Sequence, residues 1–553
     1  MDTNLISILE QLALLMEILG ENDFRISALK NGTRALEQSG VDVRTALEDG
    51  SLTAIRGIGK GLQELIKEYV HTGTIAEYND LKSKIPAGVL QLTELRGVGG
   101  KKAKALYEQL NITSIGELEY ACKENRLIEL KGFGAKTQAS ILQSIEQWHN
   151  AQGKMHMNKA WLVYAVLEQQ LLDAGAERVE ASGELRRGCE IVTHITAVAD
   201  CEDPYTLAET LEADCDGDTI ETVLNGMNII VHCTNKWDFA DVLFRTTGSD
   251  DFVSAFTALP TVKAMPQKNT EQDIFAERGV QYITPELRED VSILAVAQQA
   301  GIPALIEPAA MRGMLHIHTR WSDGMNSVRE MALEAKRLGF TYIAICDHSK
   351  TAVYANGLSI ERVLQQHDEI DAVNAEGLGI TILKGIESDI LPDGSLDYPD
   401  EILQRFDMIV ASVHSAFRLP KEQQTERIIA AIRNPYTTIL GHPTGRLLLA
   451  RDGYEIDMER IIDAAAETGT VIELNANPYR LDLDWRWHAY AVQKGVRIGI
   501  NPDSHETATL SEVWYGVTIA RKGMLTEANV INTLGLEDFR QFAATLRQNK
   551  LSR

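Results

Sequence analysis

Met314-Leu-His-Ile-His318, Tyr342-Ile-Ala-Ile-Cys-Asp-His348, Ile382-Leu-Lys-Gly-Ile-Glu387, Met408-Ile-Val-Ala-Ser-Val-His414, Thr438-Ile-Leu-Gly-His442, Val471-Ile-Glu-Leu-Asn-Ala-Asn477 and Arg497-Ile-Gly-Ile-Asn-Pro-Asp-Ser-His505 decide the fold. Each is a short apolar run, and six of the seven end in a residue type that binds metals. Helix-like stretches at 327–338, 359–375 and 421–433 lie between them, so the pattern is β then α, repeated. Apolar runs that do not alternate suggest parallel strands buried on both faces, and the repeated crossovers predict a barrel of the TIM type. Such barrels keep their chemistry at the C-terminal mouth, where strands end.

Side chains two apart on a strand point the same way, so His316 and His318 are expected to grip one ion together, as are Asp503 and His505. His316, His318, Asp323, His348, Glu387, His414, His442, Asp503 and His505 make nine nitrogen and oxygen ligands without a cysteine. At three or four protein ligands per ion, they suffice for two or three divalent metals, with Mn²⁺ or Zn²⁺ suiting the mixture better than Mg²⁺. One histidine near a strand end is ordinarily a hydrogen-bonded structural residue. Nine metal-ligating residues at successive strand ends are not explained that way.

The residues resemble a known family. His-x-His with Ser322-Asp323-Gly324, Cys346-Asp347-His348-Ser349, Gly385-Ile-Glu387, Ser412-Val-His414, Gly441-His442-Pro443 and Pro502-Asp503-Ser-His505 are similar to the PHP (polymerase and histidinol phosphatase) domain. Pro285-Glu-Leu-Arg-Glu289, followed by Arg312 to Gly324, resembles the joint between polymerase and PHP domains in bacterial family X DNA polymerases. That likeness covers nearly the whole chain. It implies a (β/α)7 distorted TIM-like barrel and makes Glu387 the carboxylate shared between ions.

With 553 residues the chain is too long for one core, and three or four domains are expected. The expected boundaries are 1–85, helical with a first hairpin; 86–150, a fingers-like region with two hairpins; 151–300, palm and thumb; and 310–553, the barrel. No secretory apolar region opens the sequence and no run of about 18 apolar residues occurs, so a cytoplasmic protein without membrane contact is expected. The cysteines at 122, 189, 201, 215, 233 and 346 have no paired spacing and read as reduced thiols. A net charge of -25 excludes a globally basic nucleic-acid binder, so DNA must be met by local basic or backbone-amide sites.

Such sites recur. Ile55-Arg-Gly-Ile-Gly-Lys60, Leu95-Arg-Gly-Val-Gly-Gly-Lys101 and Leu130-Lys-Gly-Phe-Gly-Ala-Lys136 each read apolar, basic, Gly, apolar, Gly, then helix. Paired glycines (Gly57 and Gly59, Gly97 and Gly99, Gly132 and Gly134) turn the chain tightly and leave N–H groups at a helix start, where a phosphate is favoured. Lys60, Lys101, Lys102 and Lys136 stand beside them. The three resemble helix-hairpin-helix motifs, which hold the DNA backbone without reading sequence. Leu65 falls where some family X enzymes carry a Schiff-base lysine, so lyase activity is not expected.

Residues 155–300 resemble a family X palm and thumb, an α+β nucleotidyltransferase-like region, with its chemistry missing. Gly183, Leu185, Arg186, Arg187 and Gly188 remain, but the family's phosphate-binding Ser aligns with Glu184. Its Asp-x-Asp aligns with His194-Ile-Thr196 and its third Asp with Ile230. Two-metal nucleotidyl transfer needs those carboxylates. Asp214-Cys-Asp216-Gly-Asp218 holds the one substitute Asp-x-Asp, in a stretch where Glu180 to Glu221 contains 12 acids and two arginines.

The resemblance therefore implies a metal-dependent DNA phosphoesterase, a 3′–5′ exonuclease with 3′-phosphatase and abasic-site cleavage as companions, acting in base excision repair on gapped, nicked or 3′-ended DNA. Polymerase activity is expected to be lost, and a monomer is expected. An active gap-filling polymerase with a proofreading barrel and a small-molecule phosphatase of the histidinol phosphatase kind are the alternatives. His316, Glu387 and Asp503 are the expected catalytic residues, with Arg446 the phosphate clamp and Arg320, Lys350 and Arg418 further cations near the mouth.

Overall fold

The computed structural model of the chain describes residues 3–39, 41, 43–48, 50–55, 57–128, 130–150, 153–265, 267–299 and 301–552. Arg56, the basic residue of the first hairpin, lies outside them. The chain divides into two compact units, one of residues 1–123 and 127–148, the other of 124–126 and 149–553.

The first unit is helical, with one continuous apolar core running from Leu5 to Ile145. Each glycine hairpin turns into a helix, at Lys60–Thr72, Gly100–Leu110 and Ala135–Asn150. Gly97 has φ 91° and Gly132 φ 92°, values an L side chain resists, so these turns need glycine.

The second unit opens with a short antiparallel ribbon of β1 (Met155–His156) and β3 (Ile191–Val192). Beside it a five-stranded sheet is built from β2 (Arg178–Ser182), β4 (His194–Asp200), β5 (Asp214–Asp216), β6 (Thr219–Leu224) and β7 (Met227–Thr234) in the order β2-β4-β7-β6-β5. The seven parallel strands that follow are β8 (Gly313–Ile317), β9 (Tyr342–Ile345), β10 (Thr381–Asp389), β11 (Met408–Ser412), β12 (Ile439–Leu440), β13 (Val471–Asn475) and β14 (Ile498–Asn501), paired in sequence order. A bridge from Ile317 to Ser504 brings the last strand's end back to the first, so a (β/α)7 barrel nearly closes.

The period of two sorts each barrel strand into two environments. Ile343, Ile345, Ile409, Ala411, Ile472, Leu474, Ile498 and Ile500 face outward into the large core beneath the helices. Leu315, Ala344, Cys346, Leu383, Val410, Ile439 and Val471 face inward and fill the floor with Tyr342 and Phe539. Continuing the inward set toward the strand ends leads from Cys346 to His348, from Leu383 to Glu387, from Val410 to His414 and from Val471 to Glu473. An apolar floor and a polar mouth thus follow from one alternation.

Candidate metal centre

Glu387, at the inward-facing end of β10, is the centre of the mouth. Its Oε1 lies 3.0 Å from His442 Nε2, 3.3 Å from His316 Nε2 and 3.3 Å from His414 Nε2. Its Oε2 lies 2.9 Å from His348 Nδ1 and 3.7 Å from His318 Nε2. One carboxylate therefore meets five imidazoles on two sides, the arrangement a shared carboxylate requires.

Among the described residues, three sets of ligand atoms lie close enough to hold an ion: His318, Asp323, His348 and His505; His316, His318 and Asp503; and His348, Glu387 and His414. His442 falls outside these sets but remains on Glu387. His316 and His318 do converge, although regular alternation does not bring them together. β8 shifts register between Met314 and Ile317, and His316 takes φ 64°. Asp503 (φ 52°) and His442 (φ 22°) also leave extended geometry, so backbone strain concentrates at three of the nine positions. Asp503 and His505 separate: Asp503 Oδ1 lies 3.0 Å from His318 Nε2, whereas His505 Nε2 lies 3.4 Å from Asp323 Oδ1.

Buried polar atoms ordinarily find hydrogen bonds. Here His316 Nε2, both ring nitrogens of His318 and His348, Asp323 Oδ2, Glu387 Oε2 and His505 Nε2 are buried with none. Such a cluster of unpaired nitrogen and oxygen atoms aimed at common points fits divalent cations. The electrostatics agree. Burial resists ionisation of Asp323, but His505 and His348 outweigh it and hold the carboxyl well below its usual range. Burial likewise opposes a charge on His316, yet Glu473, Asp503 and Glu387 lift it well above its ordinary value.

Asp347, next to His348 along the chain, is buried and anchors the loop carrying Asp323. Its carboxylate accepts from Thr319 N–H at 2.7 Å, Thr319 hydroxyl at 2.6 Å and Gln366 at 2.6 Å, and from Ser322. Arg446, expected as a phosphate clamp, is engaged within its own barrel. Its guanidinium donates to Arg480 O at 2.8 Å, to Asp484 Oδ2 at 2.6 Å and to Leu481 O, so its donors hold the loop that follows β13. Lys350 lies 3.9 Å from Asp397, Arg320 donates to Met325 O at 2.7 Å, and Arg418 is exposed. Arg480 is a basic group beside the ligands, with Nε 3.8 Å from Asp503 Oδ2.

Two further carboxylates escaped the sequence reading. Glu473 Oε1 lies 2.7 Å from His316 Nδ1, and Asp389 Oδ1 lies 2.6 Å from His414 Nδ1. Glu473 sits mid-strand, where a search of strand ends passes over it; its inward parity with Val471 was the available signal.

In the palm, β4 pairs in parallel with β7 so that Thr196 stands opposite Ile230 and His194 opposite Asn228. The three positions aligned with the family's carboxylates thus lie side by side. Glu184 accepts from Thr193 N–H at 2.6 Å and from its hydroxyl. Arg186 forks onto Glu271 at 2.8 and 3.1 Å and donates to Thr247. Arg187 pairs with Glu289, 3.1 Å away, and Glu289 also lies 3.1 Å from Lys522 of the barrel. In the first unit the hairpin lysines flank helix starts: Lys60, Lys101 and Lys136 are exposed, and Lys102 donates to Gly97 O at 2.8 Å.

An inward ring of histidines and carboxylates at the mouth of a seven-stranded parallel barrel defines a PHP-domain protein, and the PHP domain family matches residues 314–477. A helix-hairpin-helix domain matches residues 2–75 and a SAM-like helix-hairpin-helix tandem residues 89–147. The chain is 35% identical to the DNA polymerase/3′-5′ exonuclease PolX of Bacillus subtilis over 98% of each chain. It belongs to that family, the bacterial family X DNA polymerase/3′–5′ exonucleases. Over part of its length it is 30% identical to a probable phosphatase of Thermoanaerobacter, covering 39% of this chain and 89% of that one. A probable phosphatase of Acetivibrio thermocellus is 34% identical over 34% of this chain and 78% of its own. Among the described residues no helix is long and apolar enough to cross a membrane.

Proposed function

We propose that the chain is a divalent-metal-dependent DNA phosphoesterase, a 3′–5′ exonuclease acting at gapped, nicked or 3′-ended DNA in repair, on a palm that no longer polymerises. The observation carrying this is the contrast between two sites of one unit: ligands gathered around Glu387, and His194, Thr196 and Ile230 where the family has carboxylates. His316, His318, Asp323, His348, Glu387, His414, His442, Asp503 and His505 would hold two or three ions, Mn²⁺ or Zn²⁺. Ions held there would supply Lewis-acid activation of water and charge neutralisation at a phosphate. Glu387 keeps the metal sites adjacent, the inward histidines orient them, and the apolar floor closes the barrel below them.

The palm supports loss of polymerisation in two ways. Asp216 lies on edge strand β5, three strands from β4 and so ~14 Å away, too far to replace ligands of a metal pair. Arg186 and Arg187, where a triphosphate would bind, are instead bonded to Glu271 and Glu289. Residues 1–85 and 86–150 would bind the DNA backbone through Gly57, Gly59, Lys60, Gly97, Gly99, Lys101, Lys102, Gly132, Gly134 and Lys136. Residues 151–300 would serve as scaffold and 310–553 as the hydrolase, in a cytoplasmic monomer.

Degradation of a 5′-labelled gapped DNA in Mn²⁺, with and without dNTPs, tests the reading on wild type and His316→Ala. Shortening in wild type only, without extension, is expected. Extension abolished by mutating Asp216 and Asp218 would overturn loss of polymerisation. Turnover of a small phosphomonoester without any action on DNA would favour the phosphatase reading, which the likeness of part of the chain to probable phosphatases supports.

A further inference from the structure

Glu473 is fully buried on β13, and four donors occupy its two oxygens. Oε1 accepts from His316 Nδ1 at 2.7 Å and from Asn501 Nδ2 at 2.8 Å. Oε2 accepts from the His442 backbone N–H at 2.7 Å and from Asn475 Nδ2 at 3.3 Å. Donors from β8 and β14 on one side, from β13 itself and from the end of β12 on the other thus meet on one side chain. Asp389, at the end of β10, is also buried: Oδ1 accepts from His414 Nδ1 at 2.6 Å and Oδ2 from Thr351 Oγ1 at 2.8 Å.

An ionised carboxylate only accepts, so each contact assigns the proton of its histidine to Nδ1. With Nδ1 carrying that proton, Nε2 is the nitrogen left to take an ion, giving up any proton it holds in the ion-free site. In His316 that atom lies 3.3 Å from Glu387 Oε1 and 3.5 Å from Asp503 Oδ1, and in His414 it lies 3.3 Å from Glu387 Oε1. Both rings are therefore turned so that the free nitrogen faces the shared carboxylate. For His316 an outside anchor is needed, because φ 64° removes the side-chain direction a regular strand would impose. Neither Glu473 nor Asp389 belongs to any of the three ion-holding sets.

We propose that Glu473 and Asp389 are positioning residues that lock His316 and His414 in the Nδ1–H tautomer, aiming Nε2 of each at the metals beside Glu387. The inference rests on the metal reading above, and its test reads metal rather than DNA. Such outer partners orient ligands and make them more basic, and their loss typically costs about ten- to a hundredfold in metal affinity.

Glu473→Gln and Asp389→Asn keep shape but place an amide N–H₂ among donors, so the histidine is free to move its proton to Nε2. Full-length protein stripped of metal would be titrated with Co²⁺, following affinity and the visible ligand-field bands, with thermal melts of the metal-free proteins alongside. The expected result is a metal-free melt within a few degrees of wild type, Co²⁺ binding about ten- to a hundredfold weaker, and shifted bands. The two variants sit on different strands, so either one that folds gives the answer. Unchanged affinity and bands in both overturn the proposal, as does weakening that appears only with a collapsed metal-free melt. If wild type itself takes up no Co²⁺, Mn²⁺ or Zn²⁺, the metal reading fails, and this inference with it.

Discussion

Replacing Glu387 by Gln removes one charge from the atom pair on which five imidazoles converge, at 2.9 to 3.7 Å, and leaves the side-chain volume unchanged. Because the carboxylate is shared, every ion beside it weakens. A metal present at about 1,000 times its Kd stabilises the fold by about 4.1 kcal/mol through mass action. A hundredfold loss of affinity, the upper end for even an outer partner, leaves about ten times Kd and about 1.4 kcal/mol. The missing ~2.7 kcal/mol corresponds to about 5–11 °C in a unit the size of the barrel, at roughly 2–4 °C per kcal/mol. Differential scanning fluorimetry of EDTA-stripped wild type and Glu387→Gln, re-titrated with Mn²⁺ or Zn²⁺, reads this difference directly. An equal metal-dependent rise in both proteins would refute Glu387 as the shared ligand.

Three further outcomes are expected. Lys101→Ala with Lys102→Ala weakens DNA binding across all sequences and lowers the slope of log K against log salt by about 1 for each phosphate no longer neutralised, measured by fluorescence anisotropy at several salt concentrations. Burial opposes ionisation of Glu289, but Lys522 and Arg187 outweigh it and hold its pKa down from the ordinary 4.5 to about 2. The folded-state value is depressed, so the stability it contributes is fully present above pH 4.5 and is lost as the pH falls toward 2. Glu289→Gln should lower the melting temperature at pH 7 and flatten its fall in that acid window. Arg446→Ala takes one donor from Asp484, which keeps Arg486, leaves the Arg480 and Leu481 carbonyls without theirs, and should cost roughly 1–3 kcal/mol in urea unfolding, with Mn²⁺ affinity changed far less than in Glu387→Gln.

The barrel was legible because its information is local. Apolar runs of strand length ending in His or Glu announce parallel strands and their mouth together, and the nine candidate ligands could be named residue by residue. The glycine hairpins were legible for the same reason, since Gly97 and Gly132 need a backbone few other residues adopt. The partners of Arg446 were not legible, because a cation near a mouth looks alike whether it faces a phosphate or its own loop. Only the folding of the 480–484 segment back onto it separates the two.

The sequence alone determined the family, the strand order and which side chains are candidates to ligate, because periodicity and residue chemistry are properties of neighbours along the chain. The tertiary structure decided how those residues divide into ion sites, that Asp503 and His505 part company, and that His316 reaches the centre through a register shift. It also decided that Glu473 and Asp389 stand behind two histidines, 157 and 25 residues away in sequence. Convergence of that kind depends on barrel closure and strand register, which bring together groups whose spacing along the chain carries no trace of their distance in space.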